Sequence, residues 1–221
     1  MEEAIVIKDK KKSKDYINYL NNIIEAVSSL DFFTMKEAIR QAMDAKVPII
    51  EIVKNGILNG LDESGDMGLI LAAEALEGEV QCIDEENRLN LAESSNYNGK
   101  VVVGTIEGDI HNLGKSILIA LMKSYGMDFI DLGTDVSPEK FEEVAQQPDV
   151  KVVGISFLLS SSEPAIKRAM NLLKNGELAS KIKVILGGAS VTPEIAEETN
   201  ADAYATDALQ GVDIIDNWLR D

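Results

Sequence analysis

Apolar residues along this chain change their rhythm once. From Ser13 to about Asn90 they recur every three or four positions, the spacing of helices with one buried face. Tyr16, Ile17, Leu20, Ile23, Ile24 and Val27 form a first stripe, with Ser13 placed to cap it. Asp31 is placed to cap a second helix carrying Phe32, Met35, Ile39 and Met43. Pro48 suits the first turn of a third, with Ile49, Ile52, Val53 and Ile57 inward. Gly60 and Gly65 are expected to break the pattern before a fourth helix through Leu69, Ala72, Ala73, Leu76 and Val80. Short connections between them predict an all-α four-helix bundle of antiparallel neighbours.

Beyond a polar stretch, residues 91–99, the apolar positions fall into short runs alternating with amphipathic segments. The runs Lys100–Thr105, Met127–Leu132, Lys151–Ser156, Lys183–Leu186 and Ala203–Ala205 read as strands. Asn112–Tyr125, Pro138–Gln147, Glu163–Lys174, Pro193–Thr199 and Ala208–Leu219 read as the helices between and after them. Five such units predict an α/β flavodoxin-like, Rossmann-type fold, a five-stranded parallel sheet in the order 2-1-3-4-5. The expected organisation is an N-terminal arm over 1–13, the bundle over 14–90, a linker over 91–99 and the sheet domain over 100–221.

The chain has 38 acidic and 21 basic residues, a formal charge of −17. That balance argues against nucleic acid, whose phosphates need the opposite sign, and suits docking onto basic patches of protein partners. The only cysteine, Cys82, cannot form a disulfide within the chain, which fits a reducing compartment. No run is long and apolar enough for a membrane span, and the basic stretch Lys8–Lys14 lacks the apolar segment of a signal peptide. The expected location is the cytoplasm, with no membrane partner.

Chemistry must concentrate where strands of an open parallel sheet end, at the switch point between the first and third. The chain's only histidine, His111, lies there in Gly108-Asp109-Ile110-His111-Asn112-Leu113-Gly114-Lys115-Ser116. A lone loop histidine can be a solvated polar residue. Two positions after a carboxylate that can fix its tautomer, it can also be a metal ligand. The third strand ends in Ser156-Phe157-Leu158-Leu159-Ser160-Ser161-Ser162, whose hydroxyls can bind a ligand or cap the next helix. Gly187-Gly188 after the fourth strand reads equally as a turn or as a place where a ligand approaches bare backbone. The fifth ends in Tyr204-Ala205-Thr206-Asp207, where Asp207 suits a cap as well as a site. Gly114-Lys115-Ser116 imitates the end of a phosphate-binding loop. Five residues, not four, separate Gly108 from Gly114, so that cradle would not close.

The combination Asp109-x-His111-x-x-Gly114, Ser156-x-Leu158-x-Ser160 and Gly187-Gly188 resembles the cobalamin-binding domain of corrinoid proteins. These are the methyl carriers of methanol, methylamine, glycine betaine and O-demethylase methyltransferase systems, related to the cobalamin module of methionine synthase. The resemblance runs from about Ser13 onward. It implies cobalamin, as methylcobalamin or a related corrinoid, bound base-off with His111 as the lower axial cobalt ligand. Asp109 would hold the far nitrogen of His111, and Ser156 would follow as the next member of a proton relay. Gly108, Ile110, Asn112, Leu113, Gly114, Leu158, Ser160, Gly187, Gly188, Tyr204 and Thr206 would complete the cofactor contacts.

Such a protein is a cofactor-bearing subunit rather than a complete enzyme. Its implied partners are a substrate-specific corrinoid methyltransferase, a second methyltransferase acting on tetrahydrofolate or a thiol, and a reductive activase. Alternatives sharing the histidine motif are the cobalamin subunit of a radical isomerase and a cobalamin-dependent sensor. A cofactor-free receiver-like module shares only the fold. Two departures from the family pattern stand out. Ser160 occupies a position where threonine is usual. The run after Gly65, which usually helps to cover the upper cobalt face, passes almost at once into the Leu69–Leu76 helix and looks shortened.

Overall fold

The computed structural model describes residues 16–87 and 97–220; Ser13, the Lys8–Lys14 arm and residues 91–96 of the expected linker lie outside them. Two compact units are present, Met1–Ala92 and Glu93–Asp221.

The first unit is helical. Helix α1 spans Ile17–Ser28 and α2 spans Phe32–Asp44, and the Asp31 side chain accepts from the Thr34 amide as a cap should. The buried stripe of α1 is Leu20, Ile23, Ala26 and Val27, while Ile17 stays exposed and Tyr16 and Ile24 only half-buried. The third element departs most from expectation. After one α turn, Ile49–Glu51 (α3), the backbone widens into a π-helix over Ile52–Ile57 and tightens into a 3₁₀ turn over Leu58–Gly60. It then continues into α4, Leu61–Asn87.

Gly60 therefore does not break the chain. It lies against α1, where an added Cβ would stand 2.7 Å from Val27 Cβ and 2.9 Å from the Ile24 carbonyl oxygen. Its bare backbone permits the close approach of the two helices, not a turn. The break is at Gly65 alone, with φ 55° and ψ −144°. Helical conformation resumes directly after it, with Met67 and Ile70 exposed.

The second unit has β1 (Lys100–Thr105), α5 (Leu113–Tyr125), β2 (Phe129–Asp131), α6 (Pro138–Ala145), β3 (Val150–Ser156) and α7 (Glu163–Leu173). After these come α8 (Leu178–Lys181), β4 (Lys183–Gly187), α9 (Pro193–Thr199), β5 (Ala203–Ala205) and α10 (Ala208–Arg220). The sheet is five-stranded, all parallel, and ordered β2-β1-β3-β4-β5.

Side chains alternate across a strand, so each register row belongs to one face. Val102, Val153, Ile155, Val184 and Leu186 meet Phe141 of α6 and Ile166 and Met170 of α7 in one hydrophobic core. The opposite face is covered by α5 and α10. Tyr97 and Asn98 are attached to α10: the Tyr97 hydroxyl donates to Asp216 (2.6 Å) and the Asn98 amide to the Leu219 carbonyl (3.1 Å).

Candidate cofactor site at the carboxyl edge of the sheet

After β1 the chain makes an isolated bridge, Ile106 to Val136, and turns at Gly108, whose φ of +82° suits glycine. The turn delivers Asp109 inward and His111 outward. Asp109 is fully buried, and its Oδ1 accepts from His111 twice, from the backbone amide at 2.9 Å and from ring Nδ1 at 2.7 Å. Its Oδ2 accepts from the amides of Leu158 (2.5 Å) and Leu159 (3.0 Å), just past β3. Burial by itself would raise the carboxyl pKa, but these bonds from Leu158, His111 and Leu159 outweigh it and bring the pKa to about 2.

Asp109 is thus an anion at any physiological pH and can only accept. The Nδ1 of a neutral imidazole must then carry the proton, which leaves the Nε2 lone pair free on a side chain 49% exposed. Nε2 is presented outward and the tautomer is fixed. Thr105 Oγ1 adds a bond to the His111 carbonyl at 3.0 Å.

The relay expected to run from Asp109 to Ser156 does not form. Both oxygens of the carboxylate are taken by His111, Leu158 and Leu159, and Ser156 belongs elsewhere. It stands in a register row with Thr105, Gly187 and Ala205, on the face covered by α5 and α10. That row offers two hydroxyls, a bare backbone and a methyl, and a Cβ built on Gly187 would meet only the Ala205 carbonyl oxygen, at 3.9 Å. Small residues side by side keep this end of the sheet free of bulky side chains.

Gly188 is different. Its φ is +126°, and a Cβ there would lie 1.9 Å from the Phe157 carbonyl oxygen. The second glycine lets the β4 loop pass the β3 loop; its bareness is used by the protein itself. Gly114, by contrast, is exposed and has open space where a side chain would go.

Three exposed apolar side chains, Ile110 (75%), Leu158 (37%) and Leu159 (38%), surround His111 in sequence and on the two adjoining loops. Two polar atoms nearby are buried without a partner among the described residues, Asn112 Oδ1 and Ser162 Oγ. Asn112 Nδ2 is engaged with Ser116 Oγ at 2.9 Å, and Ser162 lies beside Gly108. Buried polar atoms without partners are rare, and a bound ligand or an ordered water would satisfy these two. Ser162, one of the hydroxyls the sequence offers either to a ligand or as a cap, gives α7 no side-chain cap.

Leu113 opens α5, and Ser160 is exposed at the start of a 3₁₀ turn over Ser160–Ser162. Thr206 is tied by its amide and hydroxyl to Gln210 Oε1 (3.0 and 3.3 Å). Tyr204 is in register with Leu186 and packs on the α6–α7 core, so it faces away from the Ser156–Gly187 row. Of the expected contacts, the structure sets it apart from the rest.

Among the described residues no three His, Cys, Asp or Glu side chains gather around a possible metal. A single imidazole suits a metal whose other positions are filled by its own macrocycle, and the exposed apolar side chains and the row of small residues suit the flat ring and the tail of such a molecule. A B12 binding domain is the family matched by residues 99–213. Over 207 residues the chain is 31% identical to the dimethylamine corrinoid protein 3 of Methanosarcina acetivorans, covering 90% of this chain and 95% of that one. It is 30% identical over 202 residues to the dimethylamine corrinoid protein of Methanosarcina barkeri, covering 87% and 93%.

The fold is shared with the monomethylamine corrinoid protein of Methanosarcina barkeri, at a TM-score of 0.70 and 23% identity over 90% of this chain and 98% of that one. The chain is a B12-binding protein, and within that class it belongs to the family of corrinoid proteins related to those of methyltransferase systems. Its cofactor is a cobalamin-type corrinoid, and its metal is cobalt.

Proposed function

We propose that this protein is a methyl carrier that holds its corrinoid base-off, with His111 Nε2 as the lower axial ligand. The observation that carries this reading is the Asp109–His111 pair at 2.7 Å, with Nδ1 engaged and Nε2 free. When bound, the corrinoid supplies a cobalt centre that accepts and releases a methyl group. The protein's residues do the rest. Asp109 holds the imidazole in one tautomer and orientation, and the amides of Leu158 and Leu159 hold Asp109. Ile110, Leu158 and Leu159 offer apolar surface to the ring. The row of Thr105, Ser156, Gly187 and Ala205 receives the displaced nucleotide tail, with Ser156 as a donor. Ser162, buried and unpartnered, is the hydroxyl we assign to the inner wall of the site in place of the Ser156 relay.

The carrier works between a substrate-specific corrinoid methyltransferase and a second methyltransferase using tetrahydrofolate or a thiol, with a reductive activase to rescue the oxidised cofactor. The relatives' names favour this over a radical isomerase. The single cysteine and acidic balance suit the cytoplasm, and no described helix is long and apolar enough to cross a membrane.

The test is reconstitution with hydroxocobalamin. The protein should keep a corrin spectrum through gel filtration, and the EPR of its Co(II) form should show one axial nitrogen. His111→Ala should stay folded, as a loop residue contributes little packing, and should lose that nitrogen. Because the chain has one histidine, an axial imidazole surviving in His111→Ala would end the assignment.

A further inference from the structure

One buried cation near the site is not used by the carrier reading. Lys115 lies in the first turn of α5 with its side chain 3% exposed. A cation there opposes the helix dipole and loses the freedom of a long side chain. Buried ion pairs commonly contribute no more to stability than well-packed apolar residues of the same volume. Lys115 Nζ nevertheless meets both oxygens of Asp131, at 2.7 and 2.9 Å, where β2 ends.

From there a closed circuit of bonds can be followed. Asp131 Oδ1 accepts from the Gly133 amide (2.9 Å), and the Gly133 carbonyl accepts from the Thr105 amide (3.0 Å). Thr105 Oγ1 donates to the His111 carbonyl (3.0 Å), and four residues of chain lead back to Lys115. A second clasp runs in parallel: Asp135 Oδ1 accepts from the Gly108 amide (2.8 Å), and the Asp135 amide donates to the Asp109 carbonyl (3.0 Å). The segment after β2 is thus bound to both ends of the loop that carries His111.

We propose that the Lys115–Asp131 pair is a positioning device for His111, closing the circuit that holds the loop carrying this residue in place. The proposal rests on His111 being the cobalt ligand. Lys115 touches neither the imidazole nor Asp109's carboxylate; it acts through the backbone. An apolar residue would fill the same space but would let α5 slide or rotate against β2. Ion pairs and their amide partners are directional, and a functional group held loosely by about 1 Å loses much of its effect.

Two variants test it. Lys115→Met removes the charge and keeps the bulk, while Asp131→Asn keeps an oxygen for the Gly133 amide and removes only the ion pair. In the cofactor-free protein, amides of residues 107–114 should exchange about tenfold faster in either variant, with the β1 and β3 core amides unchanged. After reconstitution with hydroxocobalamin both should retain the corrin, but axial ligation should weaken by about 10–100-fold, the usual effect of losing a supporting contact behind a metal ligand. The Co(II) EPR would then show a mixture of nitrogen-bound and nitrogen-free signals, and Lys115→Arg should restore the single signal.

Loop exchange equal to the unsubstituted protein would overturn the proposal. So would faster exchange spread evenly over the sheet, because it would assign the pair to general stability. If one variant fails to fold, the other decides. If the unsubstituted protein itself shows no axial nitrogen, it is the His111 reading that fails, and the exchange measurement still decides whether Lys115 holds the loop.

Discussion

Asp109 links the acid-base behaviour of a single residue to the integrity of the whole site. In the unfolded chain its carboxyl titrates near 3.8, and in the fold at about 2. Ionisation therefore favours the folded state by roughly 2 kcal/mol, fully present above about pH 4 and lost as the pH falls through 2. Asp109→Asn has nothing to titrate at this position. The difference in unfolding free energy between the two proteins should shrink as the pH falls from about 4 towards 2. Trp218, the only tryptophan, lies on α10 and reports the sheet domain in urea titrations. A difference that stays flat through the acid range would mean that the Leu158, Leu159 and His111 bonds do not hold this carboxylate.

Among the elements, what could be read beforehand was what local chemistry decides. The strands β1 and β5 and the helix α9 run as their apolar runs and turn residues require, and Asp31 caps α2 as its position suggested. The π-helix at Ile52–Ile57 was not legible, because its backbone is set by packing of Gly56 and Gly60 on Ile23 and Val27 rather than by local preference. Long-range hydrogen bonding hid the rest: Lys115 reads as an ordinary helix cation until β2 brings Asp131 to it, and Gly187-Gly188 reads as one unit.

The two glycines should behave differently. Gly187→Val adds methyls beside Ser156 and Ala205 where a Cβ meets nothing closer than 3.9 Å, so the protein should fold and lose corrin retention by tenfold or more, on the order of one blocked contact. Gly188→Val meets the Phe157 carbonyl and a φ of +126°, so it should lower the thermal midpoint before any cofactor is added. Equal midpoints with equal loss of corrin would return both residues to the same role.

The whole molecule carries a formal charge of −17, while the carboxyl edge of its sheet offers exposed apolar residues. A carrier must meet its methyltransferase quickly and leave it again, which favours long-range attraction over a large buried interface. The acidic balance supplies such an attraction towards a basic rim, and it discourages self-association between equally charged copies. Association with the cognate methyltransferase should therefore slow by about tenfold between 50 and 500 mM salt, while the dissociation rate changes little. Stopped-flow mixing of the reconstituted protein with that enzyme, followed through the corrin absorbance, gives both rates. If the association rate is indifferent to salt, the apolar edge around Ile110, Leu158 and Leu159, rather than the charge, must govern docking. A salt effect confined to dissociation would instead place the charged contacts inside the finished complex.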